Sequence, residues 1–557
     1  MLFNSIAFAK FFLLVFAGSW LLSRWPRARF GFLAAMSYVF YAGADLFDPA
    51  FWAAARANGV WSALKENAPY LKFVPIVFIG STVDYFLAIL LDRTDAPRRR
   101  KLYLVLTIAM NTGVLLVFKY WDFLAEQVIA LGGPDKRMHL PTPTGISFFT
   151  FMSLSYVIDV YRREITACRR YSHYVTYIAF FPHLVAGPII RGRDLLPLFD
   201  KRAVLTAAAA GEGMFLVAMG LIKKVVISDY LSVNFVDRVV DEPTLYSSVE
   251  VLFAMFGYAV QIYCDFSGYS DVAIGVALLL GYRLKINFDA PFKSSNLVEF
   301  WRRWHISLSS WLRDYIYIPL GGSRVTRAAE SPERAARRRA ASLALVVVGV
   351  SATIFSAWLS VARASHGSRN MLLFLGASAV MLVGLVLSDH GRKYLNVWIT
   401  MVVCGIWHGA AWSFVLFGVI QGLAVAASHF WFDRRGKKPH DAGDNGVKPS
   451  KVLAVLVTFV FTTLTFVLIR APLDRALLLY KQLLAGSTFT PNITKPIVLM
   501  IAAGFFLQWS PKSLYEGAKR LFTAAPAPAQ AAILFVLAVV LREVATTDRV
   551  PFVYGQF

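Results

Sequence analysis

Cysteine is scarce in this chain, and its few copies are not spaced as metal ligands or as a disulfide framework. The 557 residues include three cysteines, Cys168, Cys264 and Cys404. Neither a CxxC motif nor the His/Cys spacing of a zinc site occurs, so the sequence indicates no disulfide framework and no structural metal. We interpret the three cysteines as small packing residues and predict no metal site.

Acidic residues are also few. The chain has 34 Asp and Glu against 57 Lys and Arg, a formal net charge of +23. The basic residues lie in short stretches between apolar runs, which is the distribution that orients a membrane protein, so they do not indicate nucleic-acid binding. Hydrophobic residues make up 57% of the chain, above the roughly 45–50% of soluble domains. These proportions predict an all-α polytopic protein of the lipid bilayer.

The apolar runs are long enough to predict roughly 11 to 15 transmembrane helices. The runs at 249–282 and 396–430 exceed the roughly 20 residues that one crossing needs, so each predicts a helix pair or a bent helix. The first run, 6–22, lacks the basic flank and small-residue cleavage site of a signal peptide and is predicted to be retained. Because no long-period repeat occurs, we predict one membrane-embedded domain over 1–557.

Basic clusters predict which loops face the cytoplasm. The segments 324–340 and 432–451 are the longest of these clusters, and we predict that both are solvated cytoplasmic loops. The loop 45–72 and the segment 471–495 carry fewer basic residues and are predicted to face the exported side.

A polar and aromatic cassette, Trp301 to Asp314, interrupts the apolar pattern. Ionisable residues inside a membrane protein are costly unless paired or hydrated, so this cassette indicates a functional site. Read as one helix, it places four polar side chains on one face: Arg302, His305, Ser309 and Arg313. A neutral His305 would be suited to accept a proton. The alternative is a membrane-interface belt in which His305 only packs.

The arginines of the cassette are candidate ligands for the phosphate groups of a cofactor on the cytoplasmic side. These candidates are Arg302, Arg303 and Arg313. A second intramembrane histidine, His408, has small residues on both sides, which predict close helix approach and room for a substrate beside the ring. 

Further polar or aromatic residues are predicted to line the site or support it: Trp304, Ser309, Trp407, Asp314, Asp265 and His183. For Asp265 we favour a structural ion pair with the cassette arginines over a place in the lining of the site. His183, next to Pro182, predicts a broken or re-entrant helix that lines a cavity.

Three strings carry a resemblance to a known family. They are Asn-Phe-Asp-Ala-Pro-Phe at 287–292, Tyr-Ile-Tyr-Ile-Pro-Leu-Gly-Gly-Ser-Arg at 315–324, and Gly-Ile-Trp-His-Gly-Ala at 405–410. They resemble the membrane-bound O-acyltransferase (MBOAT) family, in particular its alginate O-acetyltransferase type. The resemblance implies a helical bundle around a central tunnel, with His305 and His408 as the catalytic residues.

The resemblance also implies a reaction and a location. Such enzymes of the cell inner membrane pass an acetyl group from cytoplasmic acetyl-CoA to an exported polysaccharide, with periplasmic partner proteins and without a permanently bound cofactor. The two histidines are 103 positions apart, more than the family leads us to expect, and the excess fits an inserted two-helix hairpin at 341–388. 

Other functions stay open at this level. A transporter or channel, a non-catalytic subunit of a polysaccharide-export complex, and a D-alanyl transferase are the alternatives. The sequence does not identify the polysaccharide or divide the roles of the two histidines.

Overall fold

The computed structural model describes residues 3–45, 47–323, 331–363, 368–436 and 449–544. These residues form helices joined by turns and loops, with no β-strand among them, which confirms the predicted all-α class. The first helices are α1 (Ile6–Leu21), α2 (Pro26–Ala42), α3 (Pro49–Asn58), α4 (Val60–Asn67), α5 (Val74–Arg93), α6 (Pro97–Leu115), α7 (Trp121–Ala130) and α8 (Ile146–Tyr161). A π-helical segment, Leu116–Tyr120, joins α6 to α7.

The middle of the chain alternates long and very short helices. They are α9 (Tyr171–Ala179), α10 (Phe181–Leu184), α11 (Gly192–Phe199), α12 (Ala207–Leu221), α13 (Asp237–Asp241), α14 (Ser248–Leu279), α15 (Leu297–Arg303) and α16 (Ile306–Leu312). Further π-helical segments follow α12 at Ile222–Asp229 and α16 at Arg313–Tyr317. The short α9 and α10 confirm the predicted break beside Pro182.

The C-terminal part holds the remaining helices. They are α17 (Pro332–Arg363), α18 (Ser368–Leu387), α19 (Gly391–His408), α20 (Trp412–Arg434), α21 (Pro449–Arg470), α22 (Leu473–Leu483), α23 (Lys495–Trp509), α24 (Lys512–Ala524) and α25 (Ala527–Val544). The run at 396–430 is a helix pair, as predicted, because α19 and α20 are separated at 409–411.

The run at 249–282 forms the single 32-residue helix α14, so the prediction of a pair or a bent helix was wrong there. Ser247 and Glu250 close a capping box at its start. Gly268 and Gly275 lie against α12 instead of breaking α14: a Cβ added at Gly268 would be 2.7 Å from the carbonyl oxygen of Gly220. Close helix contact therefore explains these glycines.

The predicted loop at 324–340 is partly helical. Residues 324–330 lie outside the described residues, but α17 begins at Pro332, because Ala and Arg are strong helix formers. Residues 437–448 of the predicted loop 432–451 also lie outside the described residues, and α20 extends to Arg434. The segment 341–388 contains two packed helices, α17 and α18, whose contact includes a hydrogen bond from Ser342 Oγ to the Gly384 carbonyl at 2.7 Å.

Seven helical segments of the described chain are long and apolar enough to cross a membrane, or eight if α23 and α24, which meet at 94°, form one span. The seven are Ile6–Arg24, Leu71–Arg93, Pro97–Ala130, Ser248–Leu279, Trp412–Arg434, Pro449–Arg470 and Ala527–Val544. This number refers to the described residues and is below the 11 to 15 predicted for the whole chain. Within the described residues, some apolar runs form shorter helices, such as α8, or helices that carry charge at one end, such as α19. The chain is a multi-pass membrane protein in which α14 is mostly buried and α25 mostly exposed.

Candidate active site

The cassette at 301–314 is not one helix. Between α15 and α16 lie Trp304 and His305, and His305 has a φ of +41°, in the left-handed region that few non-glycine residues adopt. Arg302, His305, Ser309 and Arg313 therefore do not share one helix face, and that prediction was wrong. Strained backbone of this kind persists where its surroundings fix it, and it is frequent at functional sites.

The loop 287–289 fixes the break. The Asn287 carbonyl accepts a hydrogen bond from the Ile306 backbone N–H at 2.9 Å, and the Asp289 N–H donates to the Arg303 carbonyl at 3.0 Å. Ser309 Oγ donates to the Trp304 carbonyl at 3.3 Å. Backbone groups at the break thus find partners in a segment that precedes the cassette and, for the Trp304 carbonyl, within the cassette itself.

His305 is fully buried, and its ring is held by one polar neighbour in particular. Its Nδ1 lies 3.2 Å from Oδ1 of Asn287, which also accepts the Ser307 backbone N–H at 3.1 Å and the Ser307 hydroxyl at 2.8 Å. Because a backbone N–H can only donate, this amide oxygen is an acceptor, and the contact with it assigns the hydrogen to Nδ1 of His305, which also lies 3.4 Å from Ser307 Oγ. Nε2 is then the nitrogen with the lone pair, the one that can accept a proton.

His408 is the last residue of α19, and 3% of its surface is exposed. Its ring centroid lies 5.1 Å from the Trp407 ring, and the centroid of His305 lies 5.9 Å from the same indole. Both imidazoles are therefore neighbours of the same indole ring. The structure brings together the two histidines that are 103 positions apart in the sequence.

The glycines around His408 serve contact between α19 and α20. A Cβ added at Gly405 would lie 2.7 Å from the Gly418 Cα, and one added at Gly418 would lie 2.7 Å from the Met401 carbonyl oxygen. The predicted close approach of helices is confirmed. The space that small residues were predicted to leave for a substrate is instead occupied by α20 at these positions, including the Phe414 ring beside Gly409.

Of the three arginines proposed as phosphate ligands, Arg302 and Arg303 end α15, and Arg313 begins the π-helical segment that follows α16. Arg302 and Arg313 are exposed. Arg303 is 2.8 Å from a carboxylate oxygen of Glu299, and Arg313 is 2.7 Å from one of Asp314. Two of the three are thus already engaged by carboxylates, and their role toward a cofactor stays a prediction.

Asp314 belongs to a network that fixes the far end of the cassette. Its carboxylate pairs with Arg191, Arg193 and Arg313. Burial opposes ionisation of this carboxyl, but the hydrogen bonds and charges of Arg313 and Arg191 outweigh it and lower its pKa. Asp314 therefore supports the fold around the cassette.

Asp265 and His183 have structural partners. Asp265 is buried, and its carboxylate lies 2.6 Å from Nζ of Lys224. The predicted ion pair with the cassette arginines was wrong, because α14 places Asp265 against the π-helical segment that follows α12. His183 is fully buried in α10, with Nε2 2.9 Å from the Tyr177 carbonyl oxygen.

The predicted supporting tryptophans are packing residues of the site. Trp304 is 1% exposed and lies among aromatic rings, at 5.1 Å from both Phe288 and Phe466. Trp407 contacts Phe148 and Phe151 of α8 at centroid distances of 5.8 and 5.6 Å. These rings surround the histidine pair with apolar surface, which excludes water and strengthens polar interactions within it. Among the described residues, no group of three or more His, Cys, Asp or Glu side chains is arranged to hold a metal ion.

The sequence of this chain is similar to those of known proteins. A family model described as MBOAT, membrane-bound O-acyltransferase family, matches residues 170–331. The chain is 31% identical over 429 residues to a peptidoglycan O-acetyltransferase of Helicobacter pylori, which covers 72% of this chain and 68% of the relative. It is 32% identical over 433 residues to a probable alginate O-acetylase, AlgI, of Azotobacter vinelandii, covering 76% and 68%.

The chain belongs to the membrane-bound O-acyltransferase family. It is therefore an O-acyltransferase. A teichoic acid D-alanyltransferase of Bacillus subtilis is 24% identical over 357 residues, or 63% of this acyltransferase and 73% of the relative.

Sequence reasoning missed several residues that hold the site of the acyltransferase. Asn287 and Ser307 were not identified as partners of His305, although Asn287 opens one of the strings that carry the family resemblance. Also missed were Lys119, which contacts the carbonyl oxygens of Trp407 and His408, and two buried lysines that pair with aspartates of α14, Lys223 and Lys224. Their signal was available, because a lysine within an apolar run is as costly as the histidines that were noticed.

Replacing Asn287 with leucine is expected to lower the acyl-transfer rate by about 100-fold, because the His305 ring loses the acceptor that fixes its tautomer and orientation. The measurement is the transfer rate of purified protein, corrected for the folded fraction. Ser307→Ala is the matched control: the Ser307 N–H still orients Asn287, so we expect a loss of less than about 5-fold. Equal rates for Asn287→Leu and Ser307→Ala would contradict the assignment.

Proposed function

We propose that this acyltransferase transfers an acetyl group from cytoplasmic acetyl-CoA to hydroxyl groups of an exported polysaccharide, with His305 and His408 as its catalytic residues. The observation that carries the proposal is the convergence of these two buried imidazoles on Trp407. Relatives that align over about two thirds of their length and are named for O-acetylation of peptidoglycan and alginate support the acetyl group and the class of acceptor.

The chemistry requires few groups. A thioester is already activated, so a base that removes the proton of the acceptor hydroxyl is the main demand. The hydroxyl oxygen attacks the thioester carbonyl, the tetrahedral intermediate expels the thiolate, and the imidazolium returns the proton to that thiolate. Nε2 of His305 is suited to this exchange because Nδ1 is bound to Asn287, and His408 supplies the second imidazole beside the same indole. In an apolar enclosure, the charges that develop during the reaction are stabilised only by groups that are already held in position, such as these two imidazoles.

The donor and the acceptor lie on opposite sides of the membrane in this proposal. The basic segments predict the cytoplasmic face, on which the exposed Arg302 and Arg313 would meet the phosphate groups of acetyl-CoA. The acceptor polysaccharide and the periplasmic partner proteins are on the other face in this proposal. The membrane that the acyltransferase spans is then the inner membrane. No permanently bound cofactor is required.

The test uses sealed vesicles that contain the full-length acyltransferase. Acetyl-CoA labelled in the acetyl group is supplied on the cytoplasmic face, and ester-linked label on polysaccharide is measured on the opposite face. We expect label with the wild-type protein and at most background with His408→Ala at equal protein abundance. Labelling that occurs only when acetyl-CoA is supplied on the opposite face would contradict the proposal. Full labelling by His408→Ala would contradict it as well.

D-alanyl transfer is the second candidate, because the Bacillus subtilis relative is named for it. The same vesicles supplied with a D-alanyl thioester distinguish the two reactions. Transfer of D-alanine at a higher rate than acetate would replace acetyl transfer as the function. Movement of a solute with no thioester consumed would indicate a transporter instead.

A further inference from the structure

A lysine within the membrane lies at the end of the helix that carries His408. Lys119 belongs to the candidate span Pro97–Ala130 and to its π-helical segment Leu116–Tyr120. Its Nζ lies 2.8 Å from the carbonyl oxygen of Trp407, 3.3 Å from that of His408 and 3.4 Å from Ser147 Oγ. One ammonium group thus joins three parts of the bundle: the α6–α7 helix, α8 and α19.

These contacts answer a specific physical need. The last four carbonyl groups of a helix have no partner within it, and an unsatisfied carbonyl in an apolar setting is costly. The ammonium of Lys119 donates to the carbonyls of Trp407 and His408, and the neighbouring Tyr120 hydroxyl donates to that of Ile406 at 2.9 Å. A cation at this end also complements the negative end of the helix dipole. Two adjacent residues therefore cap α19 from another helix.

The local backbone is suited to this task. A π-helical turn inserts a residue into an α-helix, which redirects neighbouring side chains, and such turns are frequent at functional sites. Here it coincides with Lys119 and Tyr120, the two residues that reach α19. Neutral side chains could have joined these helices without the free-energy cost of an ammonium group in an apolar span.

We propose that Lys119 is a positioning residue for His408: by capping the C-terminus of α19, it fixes the backbone from which the catalytic imidazole projects. This inference rests on the proposed function. Because a displacement of about 1 Å of a catalytic group costs on the order of 100-fold in rate, a cap at the residue itself has a direct effect on chemistry. Lys119 transfers no proton and contacts no substrate in this role.

The first test compares three variants of the full-length acyltransferase. Lys119→Met removes the charged donor, and we expect kcat to fall by about 100-fold while KM for the thioester changes by less than about 3-fold. Lys119→Arg keeps a cationic donor and is expected to recover at least a tenth of the wild-type kcat. Lys10→Met is the matched control, because Lys10 lies within the candidate span Ile6–Arg24 but is exposed, and it should leave kcat unchanged.

The second test asks whether Lys119 acts through His408. In a double-mutant cycle, Lys119→Met should change the residual rate of His408→Ala by less than about 2-fold, because the group it positions is already gone. A role in stability alone would lower the melting temperature and the folded fraction but leave the kcat of the folded protein intact. A role of its own in the chemistry would lower the rate of His408→Ala again.

The outcomes separate the two proposals. If His408→Ala is inactive and Lys119→Met is as active as Lys10→Met, the positioning role is overturned and the proposed function stands. If His408→Ala keeps full activity, the catalytic assignment falls and the role of Lys119 falls with it. If Lys119→Met lowers the rate by the same factor in the His408→Ala background as in the wild type, the positioning role is overturned as well.

Discussion

Replacing His408 or His305 with alanine is expected to lower acetyl transfer by about 10²- to 10⁴-fold in folded protein, the range usual for loss of a positioned acid–base group. The reason is the enclosure of both rings: each is nearly or fully buried beside Trp407, where no bulk water replaces the lost imidazole. The measurement is the initial rate of labelled ester formation from acetyl-CoA by purified acyltransferase, with the folded fraction determined for each variant.

The double variant carries further information. Groups that act as one unit are strongly non-additive, so His305→Ala with His408→Ala should be little slower than the worse single variant. His390→Ala is the control, because His390 precedes α19 at the end opposite His408, roughly 27 Å away at 1.5 Å per residue. We expect it to retain the wild-type rate. Near-normal rates for both single variants, with proteins folded, would remove the histidine pair from the mechanism.

The length and polarity of apolar runs predicted the class of this fold but not how each run is divided. The runs at 249–282 and 396–430 have similar lengths, and both predicted a pair or a bent helix. The second breaks at 409–411, whereas the first continues as α14. Glycines do not distinguish the two runs, because those of α14 pack against α12 and those of α19 pack against α20. The composition of one segment gives no information about the helix against which that segment packs.

The same limit applies to the cassette. Its spacing of 3 and 4 residues predicted one helix with His305 among cations. The break at Trp304 and His305 is instead stabilised by hydrogen bonds from 287–289, a segment close in sequence but outside any helical periodicity. Both histidines were predicted as candidate catalytic residues from the sequence and the family resemblance. Their shared contact with Trp407 was not, because it depends on how α19 and the cassette meet.

Charged residues within apolar runs were the most useful sequence signal for the site, but not all of them were recognised. Asp265 was correctly weighed as a structural ion-pair residue, but its partner was sought in the cassette. The partner Lys224 lies in a π-helical segment, Ile222–Asp229, that an apolar run does not reveal. Lys119 lies in another such segment. Lys224 is buried and Lys119 is half-buried, and hydropathy alone does not show which side chains of a helix face the protein interior.

Replacing Lys224 with methionine is expected to destabilise the acyltransferase by about 3–5 kcal/mol, the cost of breaking a buried ion pair by removing one partner. The Lys224 ammonium lies 2.6 Å from Asp265 and 2.8 Å from Asp229, and all three side chains are at most 8% exposed. Its removal leaves two neighbouring carboxylates in an apolar region without the cation between them. The measurement is the free energy of unfolding in a detergent titration, supported by the melting temperature.

The matched control is Lys512→Met. Lys512 also pairs with an aspartate, Asp289, at 2.8 Å, but its side chain is 73% exposed, so solvent screens the pair and the expected loss is at most about 1 kcal/mol. A second variant separates lost charge balance from lost packing: adding Asp229→Asn and Asp265→Asn to Lys224→Met removes both carboxylate charges. Because desolvated charge is the source of the penalty, this triple variant should be more stable than Lys224→Met alone. A loss in Lys224→Met no larger than in Lys512→Met would show that these carboxylates do not depend on Lys224.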